Sequence, residues 1–490
     1  MRPWLLVFPL CISTGLAALV RRDDETSKII RVPFSKERAP ILKPTKRDNS
    51  KTITQKLDNK ANTPQDFLFY ANISLGTPGQ NLRLHIDTGS SDIWVETRKS
   101  SICAAKGSCT AGGTYDNTTS SSYDYVPSLF NISYVDGQFA IGDYARDTLQ
   151  IGGVEVHDVQ FGIAYEGTSQ EGIFGIGFES RQSGVGRGEK QYPGLISQMV
   201  DQKLINSRAY SIWLNDLNAD AGEILFGGID TGKFKAPLTT IPLSRRMGMD
   251  RATDFIISLR GISVSNANGD TQVLMNDSRT LPALLDTGAS FTYLPREIAN
   301  QLNTLVGAEM RPEYKGPAVN CNKRSLQGTV NFDFMGTTIR VDVRDFIINA
   351  TDEPNENGDV LCYFGIIGVG DDSVLTLGDT FLRSAYVVYD LDNQEISIGQ
   401  TIFNSTSTNI MEIGSGPNAV PSVTRPTRVI TVLATGTIPN GVSFDASATS
   451  TSGAGKDVSS SSAAIHLRAH LSACLLAMFS VFFISLTVFV

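Results

Sequence analysis

The chain carries one short pattern twice, and few folds accommodate that. Leu84-His85-Ile86-Asp87-Thr88-Gly89-Ser90-Ser91-Asp92-Ile93-Trp94 recurs in outline as Leu284-Leu285-Asp286-Thr287-Gly288-Ala289-Ser290-Phe291-Thr292-Tyr293. In each copy an apolar run meets Asp-Thr-Gly and a second apolar stretch follows. The pattern reads as a strand, a glycine turn with the Asp at the bend, and a further strand. One Asp-Thr-Gly is usually a simple turn. Two of them, 199 residues apart in matching apolar settings, describe an internal repeat. A repeat with one carboxylate per copy predicts two lobes about a shared cleft.

The length of 490 residues exceeds one hydrophobic core. Short apolar runs alternate with glycine-rich turns, which predicts an all-β body with few helices. Asn131 to Gly152 reads as a hairpin with Ile132, Tyr134, Phe139 and Ile141 as its apolar members and Asp136-Gly137 as its turn. Glycine-flanked apolar runs at 172–177 and 377–379 read as backbone passing close beside backbone. The first lacks the strand–helix context of a dinucleotide-binding loop. Helices are expected over 192–205 and from Pro295 through Leu305.

The ends are of another kind. Residues 1–18 read as a secretory signal. Residues 19–47 carry nine Lys or Arg against four acidic residues and end in Lys46-Arg47. They read as a removable basic pro-segment, cut after Arg47 by a dibasic-specific protease and loosened at low pH as body carboxylates take up protons. The first lobe is expected over 48–225 and the second over 226–400. Residues 401–462 hold 22 Ser or Thr and two aromatics, which reads as a glycosylated stalk with little core. Residues 463–490 are a spacer and a terminal apolar run, the pattern of a lipid-anchor signal.

Without signal, pro-segment and tail, the formal charge falls from −8 to about −15. That argues against nucleic acid and favours basic ligands. Six cysteines are present, of which Cys11 and Cys474 lie in the removable ends. The other four allow three pairings; Cys103–Cys109 with Cys321–Cys362 is the simplest and fits an oxidising compartment. N-glycosylation sequons begin at Asn72, Asn117, Asn131, Asn276, Asn349 and Asn404.

Asp87 and Asp286, brought face to face, could not both ionise cheaply and would share a proton. One carboxylate could then deprotonate a water held between them while the other donates to a target carbonyl, hydrolysing an amide without a covalent intermediate. No cofactor is called for. A metal would need more ligands than His85 and His157 offer, and no Ser–His nucleophile is evident.

With these residues in view, the sequence resembles the pepsin-family aspartic proteases, and more closely the fungal yapsin-like enzymes anchored by glycosylphosphatidylinositol. The resemblance rests on Asp87-Thr88-Gly89-Ser90, Asp286-Thr287-Gly288-Ala289 and the glycine-flanked runs, and covers about residues 66–400. It implies a bilobal, pseudo-two-fold β fold, a monomer, and Asp87 and Asp286 as the catalytic pair. It implies that Thr88 and Thr287 cross-bond beneath them. It makes Tyr134, Asp136 and Gly137 part of a flap over bound peptide, with the Tyr134 hydroxyl meeting Trp94. It implies an enzyme on the outer face of the plasma membrane or in the wall, cleaving at Lys or Arg. A broad, candidapepsin-like specificity and an inactive surface-binding protein on the same fold are the alternatives. One departure stands out: the family's second motif has Thr or Ser where this chain has Ala289. Ser90 can bond the first carboxylate, and Ala289 offers nothing equivalent to Asp286. Activity is therefore expected to reach less acidic pH, unless Ser290 substitutes.

Overall fold

The computed structural model describes residues 28–37 and 68–432, apart from 105–108, 110, 220, 351–353, 356, 371–372 and 428–430. The signal, the cut after Arg47 and the apolar tail lie outside the described residues. No helix among the described residues is long and apolar enough to cross a membrane.

The first half is built from β1 (Ile30–Glu37), β2 (Leu68–Leu75), β3 (Gln80–Asp87), β4 (Ile93–Glu96), β5 (Asp124–Ser133), β6 (Phe139–Ile151), β7 (Val154–Gly167) and β8 (Ile173–Gly175). Period-2 burial marks β6, where Ala140, Gly142, Tyr144, Leu149 and Ile151 turn inward. The strands run in the order β1-β2-β3-β8-β4-β7-β6-β5, and β2 pairs again with β6. The sheet therefore curls back on itself, which shields its edges. In the second half, Leu281–Leu285 lies between Ile256–Asn266 and Leu375–Leu377. Among the described residues, helices cover only Leu195–Asp201, Arg296–Val306 and the single turn Asp379–Leu382, with short 3₁₀ turns elsewhere.

The repeat is visible in the ladders. β3 pairs parallel to β8, with Asp87 opposite Gly175, and β4 pairs antiparallel to β8. In the second half, Leu281–Leu285 pairs parallel to Leu375–Leu377, and Thr292–Pro295 pairs antiparallel to that same strand. Each Asp-Thr-Gly bend is thus pinned by a distant glycine-flanked strand. Gly175 N–H donates to Asp92 O at 3.2 Å and Gly177 N–H to Ser90 O at 2.8 Å. Asp379 N–H donates to Ala289 O at 2.8 Å. A side chain at Gly175 would meet Asp92 O at 2.5 Å, and one at Gly378 would collide with Ala289 O, so both sites require glycine.

Two expected boundaries move. The division at 225/226 falls inside the strand Ala221–Phe226. That strand belongs to a sheet shared by both halves, running Leu238–Pro242, Glu395–Gln400, Ala385–Asp390, Ala209–Trp213, Ala221–Phe226, β1, β2. The core is continuous as well: Tyr210 stacks on Tyr389 at 5.0 Å, and Phe255 packs against Tyr389 at 4.7 Å and Phe178 at 4.9 Å.

The basic segment is not all solvated. Within 19–47, β1 pairs with Ala221–Phe226 at six positions and with β2 at four. Ile30, Val32 and Phe34 alternate into the core and are at most 2% exposed. Pro33 lies ahead of the part paired to β2, which begins at Phe34, so its missing N–H costs little there. Arg31 meets Glu223 at 2.7 Å and Asp230 at 3.5 Å.

The folded body also extends past 400. Ile410–Glu412 pairs with Gly228–Asp230, and Val423–Thr424 pairs parallel to Leu238–Pro242. Ile413 and Val420 are buried with Trp213, Phe234 and Tyr386. A Ser/Thr-rich composition averaged over 401–462 hid the few apolar residues that dock this stretch.

Candidate active site

Asp87 ends β3 and Asp286 follows Leu281–Leu285, so each carboxylate stands where a strand gives way to its glycine turn. The bends interlock. Thr88 N–H donates to Thr287 Oγ1 at 3.1 Å and Thr287 N–H to Thr88 Oγ1 at 3.0 Å. The two hydroxyls donate onward to Leu285 O at 3.1 Å and Ile86 O at 3.0 Å. Both threonines are at most 2% exposed. Every polar group in this crossing has a partner, and each bond ties one half to the other.

Above the crossing the carboxylates face one another. A Cβ on Gly89 would sit 2.6 Å from Asp286 Oδ2, and one on Gly288 would sit 2.5 Å from Asp87 Oδ1. Only glycine allows each backbone to approach the opposing Asp. Gly89 N–H donates to Asp87 Oδ1 at 2.8 Å and Gly288 N–H to Asp286 Oδ1 at 2.8 Å. The symmetry then breaks. Ser90 Oγ donates to Asp87 Oδ2 at 2.5 Å. Ala289 has no hydroxyl, and Ser290 Oγ is buried with no hydrogen-bond partner, so Ser290 does not replace it. Burial, and next the charge of Asp87, push the Asp286 carboxyl well above its ordinary range. The Asp286 carboxyl therefore keeps a proton into less acidic conditions than an ordinary carboxyl does.

Over the pair lies the β5–β6 hairpin. Tyr134 N–H donates to Gln138 O at 2.7 Å and Gly137 N–H to Tyr134 O at 3.1 Å. Gly137 has φ +86, which favours glycine at this turn. Asp136 Oδ1 accepts from Gln138 N–H at 2.9 Å and Oδ2 from its side-chain amide at 2.7 Å. Trp94 Nε1–H donates to the Tyr134 hydroxyl at 2.7 Å. Burial, then the nearby Asp87 charge, raise the Tyr134 phenol, so it stays neutral.

Disulfides join Cys103 to Cys109 and Cys321 to Cys362. Of the sequon asparagines, Asn72, Asn276 and Asn404 are exposed, and Asn117, Asn131 and Asn349 are half-buried.

Two carboxylic acids below the hairpin were given no role by pattern alone. Asp92 is fully buried and accepts from Tyr144 OH at 2.6 Å, Tyr192 OH at 2.8 Å and Ser183 N–H at 2.7 Å. It fastens the strand behind Asp87 to β6 and to the 183–192 loop. A charged residue inside the apolar run Ser91-Asp92-Ile93-Trp94 was the available signal. Glu96 is 1% exposed, and burial raises its carboxyl to about 7. Its Oε2 lies 3.2 Å from Cys103 Sγ; that sulfur is in a disulfide, so only a protonated Glu96 can donate across the gap. Nothing in its local sequence sets Glu96 apart.

A cleft with a shared-proton carboxylate pair, fixed N–H donors and a hairpin cover can polarise an amide and a water together. Comparison with known proteins points the same way. The family model "Eukaryotic aspartyl protease" matches residues 68–401. A protein of Aspergillus oryzae named "Probable aspartic-type endopeptidase opsB" is 41% identical over 436 residues, 88% of each chain. Its namesake in Aspergillus fumigatus is 43% identical over 416 residues, 84% of this chain and 82% of that one. "Aspartic proteinase yapsin-3" of Saccharomyces cerevisiae is 30% identical over 416 residues, 81% of this chain and 77% of that one. Similarity of this extent, across the whole folded body, makes the chain a member of the eukaryotic aspartyl protease family and thus a pepsin-type aspartic endopeptidase.

Proposed function

We propose that Asp87 and Asp286 are the catalytic pair and that they hydrolyse peptide bonds through a water held between them. The observation that carries this is the mutual approach of the two bends, in which each glycine faces the opposite carboxylate. Asp87, bonded by Gly89 N–H and Ser90 Oγ, is the general base toward the water. Asp286, with its raised affinity for a proton, protonates the scissile carbonyl. The diol then collapses as Asp87 returns its proton to the leaving amine and a diol hydroxyl gives its proton back to Asp286. The hairpin closes over an extended peptide, excludes bulk water and positions the carbonyl through Tyr134.

The preferred substrates carry Lys or Arg beside the scissile bond. Asp136 at the hairpin turn and the acidic body support this reading. The enzyme is made as a secreted zymogen, cut after Arg47, and held at the cell surface by a lipid anchor attached within about 453–463; the leader, the dibasic pair and the terminal apolar run support that course.

Peptide hydrolysis by wild type, Asp87→Asn and Asp286→Asn tests the pair, with a statine-type peptide as inhibitor. Loss of turnover in both variants and inhibition of the wild type are expected; turnover in either variant rejects the pair. A peptide library tests specificity, and equal cleavage after Leu and after Arg rejects the basic preference.

A further inference from the structure

His85 precedes Asp87 by two residues on β3, so strand pleating turns both side chains to one face. The imidazole is 9% exposed, and its buried Nε2 has no hydrogen-bond partner. An aliphatic residue would fill this place without leaving a buried ring nitrogen unbonded, which is unfavourable. The histidine therefore needs a reason beyond packing.

Its surroundings supply one. Asp87 shares its face of β3, and the charges of Asp87, of Glu171 in the segment ahead of β8 and of Asp136 at the hairpin turn act on the ring, as does the Thr287 backbone of the second bend. Tyr70 on β2 stands with its ring centre 6.0 Å away. Arg83, also on β3, meets Glu171 at 2.5 Å and lies over the Tyr70 ring at 4.3 Å. The Arg83–Glu171 pair offsets its own charges, and Asp136 is engaged by Gln138. Burial resists a charge on the imidazole, and the carboxylates, Asp87 first among them, oppose that resistance. His85 is accordingly neutral in weak acid and takes up its proton in stronger acid.

We propose that His85 is a positioning residue for the proton on the carboxylate pair: protonated, it sets a buried positive charge beside Asp87 and keeps one of the two carboxylates ionised in acid. The inference rests on the reading of Asp87 and Asp286 as the reacting pair. Its sign is definite. A positive charge favours the carboxylate, so the pair takes its second, inactivating proton only at lower pH. The acid limb of the rate profile extends downward. The upper limb, where the pair loses its last proton, is set chiefly by the burial and the Asp87 charge that raise Asp286.

The test is the pH dependence of kcat/KM in the purified enzyme and in His85→Gln and His85→Leu. Both variants are expected to move the acid limb upward by roughly half a pH unit, about a threefold loss on that slope, with the upper limb unmoved. An unmoved acid limb, both limbs moving together, or a shift in the Leu variant alone would overturn the proposal. NMR of the histidine-labelled enzyme gives a second reading, with the signal absent from His85→Gln assigned to His85. Asp87→Asn should make that imidazole protonate at a pH lower by half a unit or more, and no change there also overturns it. If Asp87→Asn hydrolyses peptide at the wild-type rate, the catalytic pair itself is wrong, whatever His85 does.

Discussion

The Ser90 hydroxyl donates to Asp87 at 2.5 Å, and its counterpart in the second copy of the motif is the methyl group of Ala289, which gives Asp286 nothing. This asymmetry has a direction. A hydroxyl donor stabilises an ionised carboxylate, so its absence adds to the burial and charge that raise Asp286. Ala289→Thr should let Asp286 ionise earlier and move the upper limb of the pH–rate profile to lower pH by about half a unit to one unit. A profile of kcat/KM from pH 3 to 8 checks it; an unmoved or raised upper limb rejects it.

Tyr134 and Trp94 are joined across the base of the hairpin at 2.7 Å. Tyr134→Phe keeps the ring and leaves the buried indole N–H of Trp94 without that acceptor, a penalty of about 1–3 kcal/mol. Peptide turnover should fall about tenfold or more, and the unfolding temperature should drop by a few degrees. Unchanged kcat/KM would mean that the bond does not orient the cover.

Glu96 makes the fold sensitive to alkali. Its carboxyl is raised to about 7 in the folded state against a reference of 4.5. The folded state therefore holds the proton longer than the unfolded one, and stability is full below about 4.5 and lost as pH rises through 7. The loss approaches roughly 3 kcal/mol. Glu96→Gln should unfold at a higher temperature than wild type at pH 7.5 and at nearly the same temperature at pH 4. Parallel curves at all pH values would reject the assignment.

The strand Ile410–Glu412 and the buried Ile413 and Val420 belong to the body. A chain ending at Gln400 should uncover Ile229 and Phe234 and lose about 3 kcal/mol or more of apolar burial relative to one ending at residue 432. Urea unfolding of the two forms measures the difference. Equal midpoints would mean that the docked stretch adds no stability.

Much of the site could be read from the chain because it is locally encoded. Asp-Thr-Gly must bend after a strand, Asp136-Gly137 must turn a hairpin, and glycine-flanked apolar runs must lie against backbone; each follows from conformational limits acting over a few residues. The two-fold repetition carried the further inference that the halves meet.

What the sequence withheld depends on residues far apart in the chain. Pattern did not show that β1, in the basic segment ahead of Arg47, pairs into the sheet, because its charges were counted and the alternation of Ile30, Val32 and Phe34 was not. It ended the body at 400, because Ile413 and Val420 are sparse among Ser and Thr. It passed over Asp92, whose partners Tyr144 and Tyr192 lie 52 and 100 residues on, and it left open whether Ser290 would serve Asp286. Period and turn chemistry act between neighbours and survive in the linear text, whereas burial and electrostatic coupling exist only once distant segments share a core. The chain by itself therefore determined the two carboxylates and their bends; the tertiary structure alone decided how burial and charge raise Asp286, what surrounds His85, and where the body ends.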